Sequence, residues 1–194
     1  LMGGVFALLA IYWLIKYRAT SPDQNGRGPT LSRAQAWSWA MVPAFIFMAD
    51  DFFLAAKGWT VWNTYRKVPE NALEIKVTGN MWYWTFEYPN GVTTTYAYDT
   101  KEGDGLVVPV GTPVVLRMTS NDVLHSFGLP DYRVKEDMMP GRITYIWFNP
   151  LVEKESWVTC VEFCGTLHSQ MYSPVKAVAP AKYDAWLAQK KSTL

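Results

Sequence analysis

The sequence predicts a hairpin of two transmembrane helices over residues 1–62, followed by an all-β domain over residues 63–194. Three observations lead there. Two apolar stretches, each carrying tryptophan, stand near the N-terminus. Beyond residue 72 the texture changes to short runs of alternating apolar and polar residues, separated by Gly, Pro and Asn. The composition is that of two unlike parts averaged: 49% of the 194 residues are hydrophobic, yet the mean hydropathy is -0.05. Charged residues make up 18%, against roughly 25% in an average soluble domain. The 18 basic and 17 acidic residues leave a net charge of +1. That excludes the basic excess of a nucleic-acid binder and the high net charge of a disordered chain. The 2 cysteines are too few for a disulfide framework or a four-cysteine zinc site.

The first apolar stretch, residues 1–15, reads LMGGVFALLAIYWLI and closes on Lys16, Tyr17 and Arg18. It is shorter than the roughly 20 residues that cross a bilayer as a helix. The chain opens inside the run without an initiator Met, so upstream sequence is expected to be missing or processed away. A signal-peptide core is the competing reading, and the basic residues that follow, in place of a small-residue cleavage site, count against it. Residues 20–32 form a loop punctuated by Ser21-Pro22-Asp23, Asn25-Gly26 and Gly28-Pro29. The second stretch, residues 34–59, has Trp37 and Trp39 near one end and Trp59 and Trp62 near the other, the placement of interfacial aromatic belts. Pro43 is tolerated within a span where neighbouring groups satisfy the freed carbonyl. Asp50 and Asp51 interrupt the stretch. A carboxylate inside the hydrocarbon costs about 2.5–3.5 kcal/mol, so the pair either lies where the helix leaves the hydrocarbon early or meets a partner or a proton path. In the short loop Lys16, Arg18, Arg27 and Arg33 outnumber Asp23, which places the loop on the cytoplasmic side and everything after about Trp62 outside.

In the outer part, Leu73-Glu74-Ile75-Lys76-Val77 alternates as a half-buried strand does. Residues 81–88, MWYWTFEY, are β-prone and close on Pro89-Asn90-Gly91, predicting a hairpin into residues 92–98. On such a strand Trp82 and Trp84 share one face and Tyr83 takes the other. Residues 106–110, 114–120, 142–148 and 156–161 read as further strands. Turn signals fall at Gly103, Gly105, Gly111-Thr112-Pro113, Pro130-Asp131, Pro140-Gly141 and Asn149-Pro150. Short strands at near-regular spacing make a sandwich or a barrel. Residues 180–189 read as a closing helix.

The residues that carry chemistry gather in 158–171, VTCVEFCGTLHSQM, where Cys160, Cys164, His168 and Met171 stand at intervals of four, four and three. His125 lies upstream in SNDVLHSF. Both histidines and both cysteines of the chain belong to this set. Singly, each has a plainer role: a short-loop disulfide outside the cell, a hydrogen-bonded polar histidine, a methionine filling the core. Together, thiolates, imidazoles and a thioether select copper. Two Cys and two His also make a tetrahedral zinc site, and the methionine favours copper over it. A mononuclear blue-copper site takes two His, one Cys and a weak Met. Here there is one thiolate too many for that site, whereas two thiolates can bridge two copper ions.

The stretch from Cys160 to Met171, CVEFCGTLHSQM, closely resembles the CuA motif of cytochrome c oxidase subunit II. So do Asp122-Val123-Leu124-His125-Ser126-Phe127, Lys135-Glu136-Asp137-Met138-Met139-Pro140-Gly141-Arg142 and Trp82-Tyr83-Trp84, in the same order and behind the same helix pair. The resemblance covers nearly the whole chain. It implies a Greek-key, cupredoxin-like sandwich carrying a binuclear, mixed-valence copper centre. By that resemblance the sulfurs of Cys160 and Cys164 bridge both ions, and His125 and His168 are terminal ligands. Met171 gives a weak thioether contact to one copper and the Glu162 backbone carbonyl binds the other. The Glu162 side chain would reach a magnesium or manganese ion shared with subunit I, and Trp82 would be the electron-entry residue. Asp122, Asp131, Glu136 and Asp137 would offer acidic surface to steer a basic cytochrome. The implied protein is an integral membrane subunit of a bacterial-type cytoplasmic membrane, or of a mitochondrial inner membrane, with its C-terminal domain on the outer, periplasmic side. It takes electrons from cytochrome c and passes them to the haem of subunit I, where oxygen is reduced to water. Its partners are subunit I, the other oxidase subunits and membrane lipid, and no nucleic acid.

The pattern departs from the family at two places. Gly128 stands where a large aromatic is common, and Ala36, beside Gln35, stands where a Glu serving a proton channel is common. No Cys-x-x-Cys-His occurs in the chain, so the expected donor is a separate protein. The alternative is a CuA subunit of a nitric-oxide reductase of the same superfamily. Nitrous-oxide reductase couples the motif to a large extra catalytic domain, quinol-oxidase relatives have lost the copper ligands, and copper carriers expose a single mononuclear site.

Overall fold

A computed structural model describes residues 2–24, 28 and 30–192. Asn25, Gly26, Arg27 and Pro29, read above as turn signals and loop charge, lie outside the described residues. The chain divides into two units, Leu1–Ala56 and Lys57–Leu194. The first holds helix α1 (Met2–Lys16) and the larger part of helix α2 (Arg33–Arg66). Helix α2 opens on a capping box: the Gln35 N–H donates to Ser32 Oγ at 3.3 Å, and the Ser32 N–H donates to Gln35 Oε1 at 3.0 Å. It continues through Pro43 and stops short of Pro69, which cannot extend a helix. Among the described helices, α2 alone is long and apolar enough to cross a membrane. Helix α1, of 15 residues, is only about 22 Å long against a hydrocarbon core of about 30 Å.

Helix α2 runs several residues past the apolar stretch read in the sequence, because its end from Lys57 onward has the second unit to pack on. Arg66 forms an ion pair with Glu136 at 2.9 Å and lies over the rings of Trp62 and Tyr65 at 4.7 and 5.3 Å. The last carbonyls of a helix have no partner within it. Here Trp147 Nε1 donates to the Tyr65 carbonyl at 2.9 Å and Tyr145 Oη to the Arg66 carbonyl at 3.1 Å.

The second unit continues as β1 (Leu73–Asn80), β2 (Tyr83–Glu87), β3 (Thr93–Thr95), β4 (Leu106–Pro109), β5 (Val114–Ser120), β6 (His125–Leu129), β7 (Val134–Met138), β8 (Thr144–Phe148), β9 (Lys154–Cys160), β10 (Tyr172–Val178) and helix α3 (Pro180–Lys191). The strands form two five-stranded sheets, ordered β3-β2-β1-β5-β8 and β4-β10-β9-β6-β7. The pairs β1/β5 and β4/β10 are parallel. The chain changes sheet after β3, β4, β5, β7 and β8, the crossed connectivity expected of a Greek-key sandwich. Between the sheets Trp84, Phe86 and Phe127 meet edge to face, with Phe127 5.1 Å from Trp84 and 6.3 Å from Phe86.

Three strands escape the pattern reading, each for a physical reason. Strand β6 is buried at all five positions, so it shows no alternation. Strand β7, VKEDM, is a charged edge strand. Strand β10 contains Pro174, which argues against a central strand; it is tolerated because β4 begins to pair only at Val175. The expectation that Trp82 and Trp84 share a strand face is corrected as well. Strand β2 starts at Tyr83, and Trp82 lies in the β1–β2 turn. There Asp122 Oδ2 accepts the Met81 N–H at 2.6 Å, drawing the turn out of the ladder. Trp84 is fully buried and Trp82 half-buried.

The edge of the second sheet is closed by side chains. Tyr88 Oη accepts the Val107 N–H at 2.8 Å and donates to the Val107 carbonyl at 3.0 Å, doing for β4 what a further strand would do. Tyr183 and Trp186 of α3 cover Tyr88, and Trp186 Nε1 and Lys190 Nζ both bond Asp104. Replacing Tyr88 with Phe strands a buried N–H and C=O, so stability should fall by about 1–3 kcal/mol. Denaturant unfolding of the full chain should show a lower midpoint with an unchanged slope; an unchanged midpoint would mean that the tyrosine hydroxyl does not close this edge.

Candidate metal centre

The sandwich brings four chain segments to one end. Strand β6 begins with His125 and β9 ends with Cys160, two positions away in the same antiparallel pair, where Phe127 faces Cys160. The loop 161–171 then returns the chain to β10. It is tied at its base by Cys160 N–H to the Met171 carbonyl at 3.0 Å and Val161 N–H to the Ser126 carbonyl at 2.9 Å. Within it, Gly165 takes a φ of 119°, a conformation that glycine alone adopts cheaply, and His168–Gln170 makes one turn of 3-10 helix.

This scaffold gathers the ligand atoms that the sequence singles out. Cys160 Sγ and Cys164 Sγ stand 3.7 Å apart and neither is in a disulfide. His125 Nδ1 is 3.8 Å from Cys160 Sγ, and His168 Nδ1 is 3.5 Å from Cys164 Sγ. Met171 Sδ is 3.7 Å from Cys164 Sγ, and the Glu162 carbonyl oxygen is 3.1 Å from Cys160 Sγ. Two ligands on one tetrahedral metal, at bond lengths of about 2.0–2.3 Å, stand about 3.3–3.8 Å apart. The sulfur–sulfur and sulfur–nitrogen separations therefore fit atoms that share metal ions, and the soft donor set suits copper. Among the described residues, the group of His, Cys and carboxylate ligand atoms lying within 4.8 Å of one another consists of His125, Cys160 and Cys164. His168 lies at its half-exposed edge, against Phe163. The Glu162 side chain is exposed and joins no such group.

The electrostatics of the two sulfurs differ. Burial pushes the Cys160 thiol up, but hydrogen bonds from His125, the Ser126 backbone, the Glu162 backbone and Cys164 outweigh it and bring it down to about 6. Burial and then repulsion by the Cys160 sulfur push the Cys164 thiol up to about 12. One thiolate forms readily and its charge opposes the second. Asp122 orders the histidine beside them. Its Oδ1 lies 2.8 Å from His125 Nε2. Because a carboxylate only accepts, Nε2 carries a proton, and Nδ1 is the ring atom turned toward the sulfur. Burial raises the Asp122 carboxyl, yet the N–H groups of Met81 and Val123 and the His125 ring together hold it below its ordinary range. Sequence alone assigns Asp122 to the acidic surface; in the fold it is also the partner of a buried histidine. Its place three residues before a buried histidine at a strand start was the available signal.

Trp82 adjoins the ligand loop directly. Its Nε1 donates to the Cys164 carbonyl at 3.3 Å. A Cβ on Gly165 would stand 3.3 Å from the indole, so the glycine admits the ring. The acidic surface fares otherwise. Asp131 is paired with Lys154 and Glu136 with Arg66, and Asp122 is engaged with His125.

Comparison with known proteins agrees with this geometry. Residues 73–178 match the family model described as cytochrome c oxidase subunit II, periplasmic domain. The crystal structure of the periplasmic domain of subunit II of cytochrome oxidase (CoxB) of Bradyrhizobium japonicum superposes with a TM-score of 0.61 at 32% identity, covering 66% of this chain and 99% of that one. The alternative cytochrome c oxidase subunit 2 of Bradyrhizobium diazoefficiens is 33% identical over 162 residues, covering 72% of this chain and 58% of the relative. Cytochrome c oxidase subunit 2 of Cereibacter sphaeroides is 31% identical over 185 residues, covering 79% of this chain and 60% of the relative. The chain thus spans about three fifths of the length of these curated relatives. With an all-β domain of this topology, a sulfur and imidazole cluster at its end and the family match over most of that domain, the chain belongs to the cytochrome c oxidase subunit II family.

Proposed function

We propose that this chain is the electron-transfer subunit of a cytochrome c oxidase. It accepts electrons from cytochrome c at a binuclear CuA centre and passes them to the haem of subunit I. The observation that carries this reading is the pair of buried, unbonded sulfurs 3.7 Å apart, flanked by imidazole nitrogens at 3.5 and 3.8 Å. When bound there, copper would supply a centre that takes up and releases one electron at a time. Cys160 and Cys164 would hold it through sulfur, His125 and His168 through imidazole nitrogen, Met171 through its thioether and Glu162 through its backbone carbonyl. Asp122 keeps His125 in the tautomer whose Nδ1 is free to bind. The two ladder bonds at the base of the loop hold the sulfurs while the charge changes. Trp82, half-buried and bonded to the Cys164 carbonyl, offers the short route from the surface to the ligands. The Glu162 carboxylate faces outward, free to join a magnesium or manganese ion whose other oxygen ligands come from subunit I.

Membrane attachment completes the reading. Residues 1–62 anchor the protein, with α1 and α2 both crossing the bilayer, and residues 63–194 carry the centre on the outer side. Lys16, Arg18 and Arg33 flank the short connection on the cytoplasmic side.

The full chain loaded with copper should bind two coppers and absorb in the visible; one zinc and no visible band would overturn the assignment. Replacing Asp122 with Ala should lower copper affinity about 10–100-fold, as read by chelator competition. An unchanged affinity would mean that the sheet alone orients His125. Replacing Trp82 with Ala should, at equal copper occupancy, slow electron uptake from reduced cytochrome c by about an order of magnitude or more; equal rates would remove Trp82 from the entry route.

A further inference from the structure

We propose that Gly128 and Val161 form a steric lock that sets the position of the Cys160–Glu162 segment. Gly128 is buried on β6, opposite Thr159 of β9. A Cβ built on it would stand 2.9 Å from Val161 Cγ1, 3.2 Å from Val161 Cγ2 and 3.3 Å from the Thr159 carbonyl oxygen. Its φ is not positive, so space, not backbone conformation, calls for glycine. Val161 is 44% exposed, so burial in the core does not place it; the gap over Gly128 does.

The lock cannot be relieved by a rotamer change. Val161 has two methyl groups to distribute over three staggered positions. Two of those positions now adjoin the Gly128 slot, so every rotamer leaves at least one of them filled. A side chain at residue 128 therefore presses on Val161 in every rotamer, and the strain falls on the Val161 backbone as a shift of a few tenths of an ångström. That backbone lies between the Cys160 sulfur and the Glu162 carbonyl oxygen, which are 3.1 Å apart, and its N–H is held by the Ser126 carbonyl at 2.9 Å. Movement there changes the sulfur-to-carbonyl geometry. Gly128 and Val161 are positioning residues: neither bears a ligand atom of its own in the proposed centre.

The consequence for copper rests on the function proposed above; the geometry of the lock does not. The test compares the full chain with G128A, V161A and the double variant G128A/V161A, by two readouts. The first is the alkylation rate of Cys160 relative to Cys164 in metal-free protein, resolved by mass spectrometry. The second is the visible spectrum and affinity after addition of copper salts. In G128A the alkylation ratio should change severalfold, the copper bands should shift, and affinity should fall about 10-fold. In the double variant both readouts should return to those of V161A, since alanine has no γ carbons to meet the new Cβ. G128A behaving as the unaltered chain overturns the lock, as does a double variant that remains displaced. If G128A fails to fold by far-UV circular dichroism, folding of the double variant supports the lock and failure of both overturns it. An unaltered chain that takes up no copper defeats the function proposed above, and the thiol ratio still decides the lock.

Discussion

Two thiols held face to face and kept from bonding set the terms for everything around them. In an oxidising compartment such a pair is exposed to disulfide formation, which would bring the sulfurs to about 2.0 Å. Here they rest at 3.7 Å, each tied to a different part of the scaffold. Cys160 is the last residue of a paired strand, and its sulfur is fixed against the Glu162 carbonyl and His125. Cys164 hangs from a loop whose carbonyl is taken by Trp82. The charges make the same point. Burial and the proximity of the two sulfurs both disfavour a second negative charge on the pair. A second thiolate beside the first needs a cation to neutralise it, so the apo arrangement is one that metal binding relieves.

The position of this pair is transmitted from the end of α2 by continuous bonding. Arg66 grips Glu136 of β7, and Glu136 pairs with Phe127 of β6, whose first residue is His125. Phe127 in turn pairs with Cys160 of β9. Helix end, edge strand, histidine strand and cysteine strand are thus consecutive members of one ladder. Rigid elements place ligands more accurately than loops do. Of the six proposed ligands, His125 and Cys160 stand on strands, and Glu162, Cys164, His168 and Met171 come from a loop that is tied at its base. The charged character of β7, which hid it from pattern reading, is what lets it receive Arg66.

The clustering of the candidate ligands was legible in the sequence because their chemistry is rare: two Cys, two His and a Met in a chain with no other Cys or His admit few readings. Most strands that face solvent on one side were legible too, since alternation reports one buried face. What could not be read were features that exist only across the fold. Strand β6 has both faces covered, and β10 contains a proline excused by the late start of its neighbour. Trp82 left its expected strand because Asp122, distant in sequence, captures the turn beside it. The same capture turned Asp122 from a presumed surface charge into the group that fixes the His125 tautomer. Gly128 read as a departure from the family pattern; its meaning appears only when Val161 is seen occupying the space.

Donor recognition follows a similar reallocation of charge. Long-range steering needs unpaired charge of one sign, and two of the four carboxylates expected to supply it, Glu136 and Asp131, are paired with cations. Asp137 is left exposed. The surface beside Trp82 is of another kind: Tyr83, Tyr96, Tyr98 and Leu167 line a cleft with it, bordered by Asp99. Aromatic side chains of this sort contribute contact area at low entropy cost, and surface charges a Debye length of about 8 Å away are largely screened at physiological salt. For the proposed electron transfer, short-range fit around Trp82 then outweighs attraction at a distance. The indole proposed to accept the encounter is the same group that holds the Cys164 carbonyl, so the proposed docking surface and the ligand loop would share a side chain.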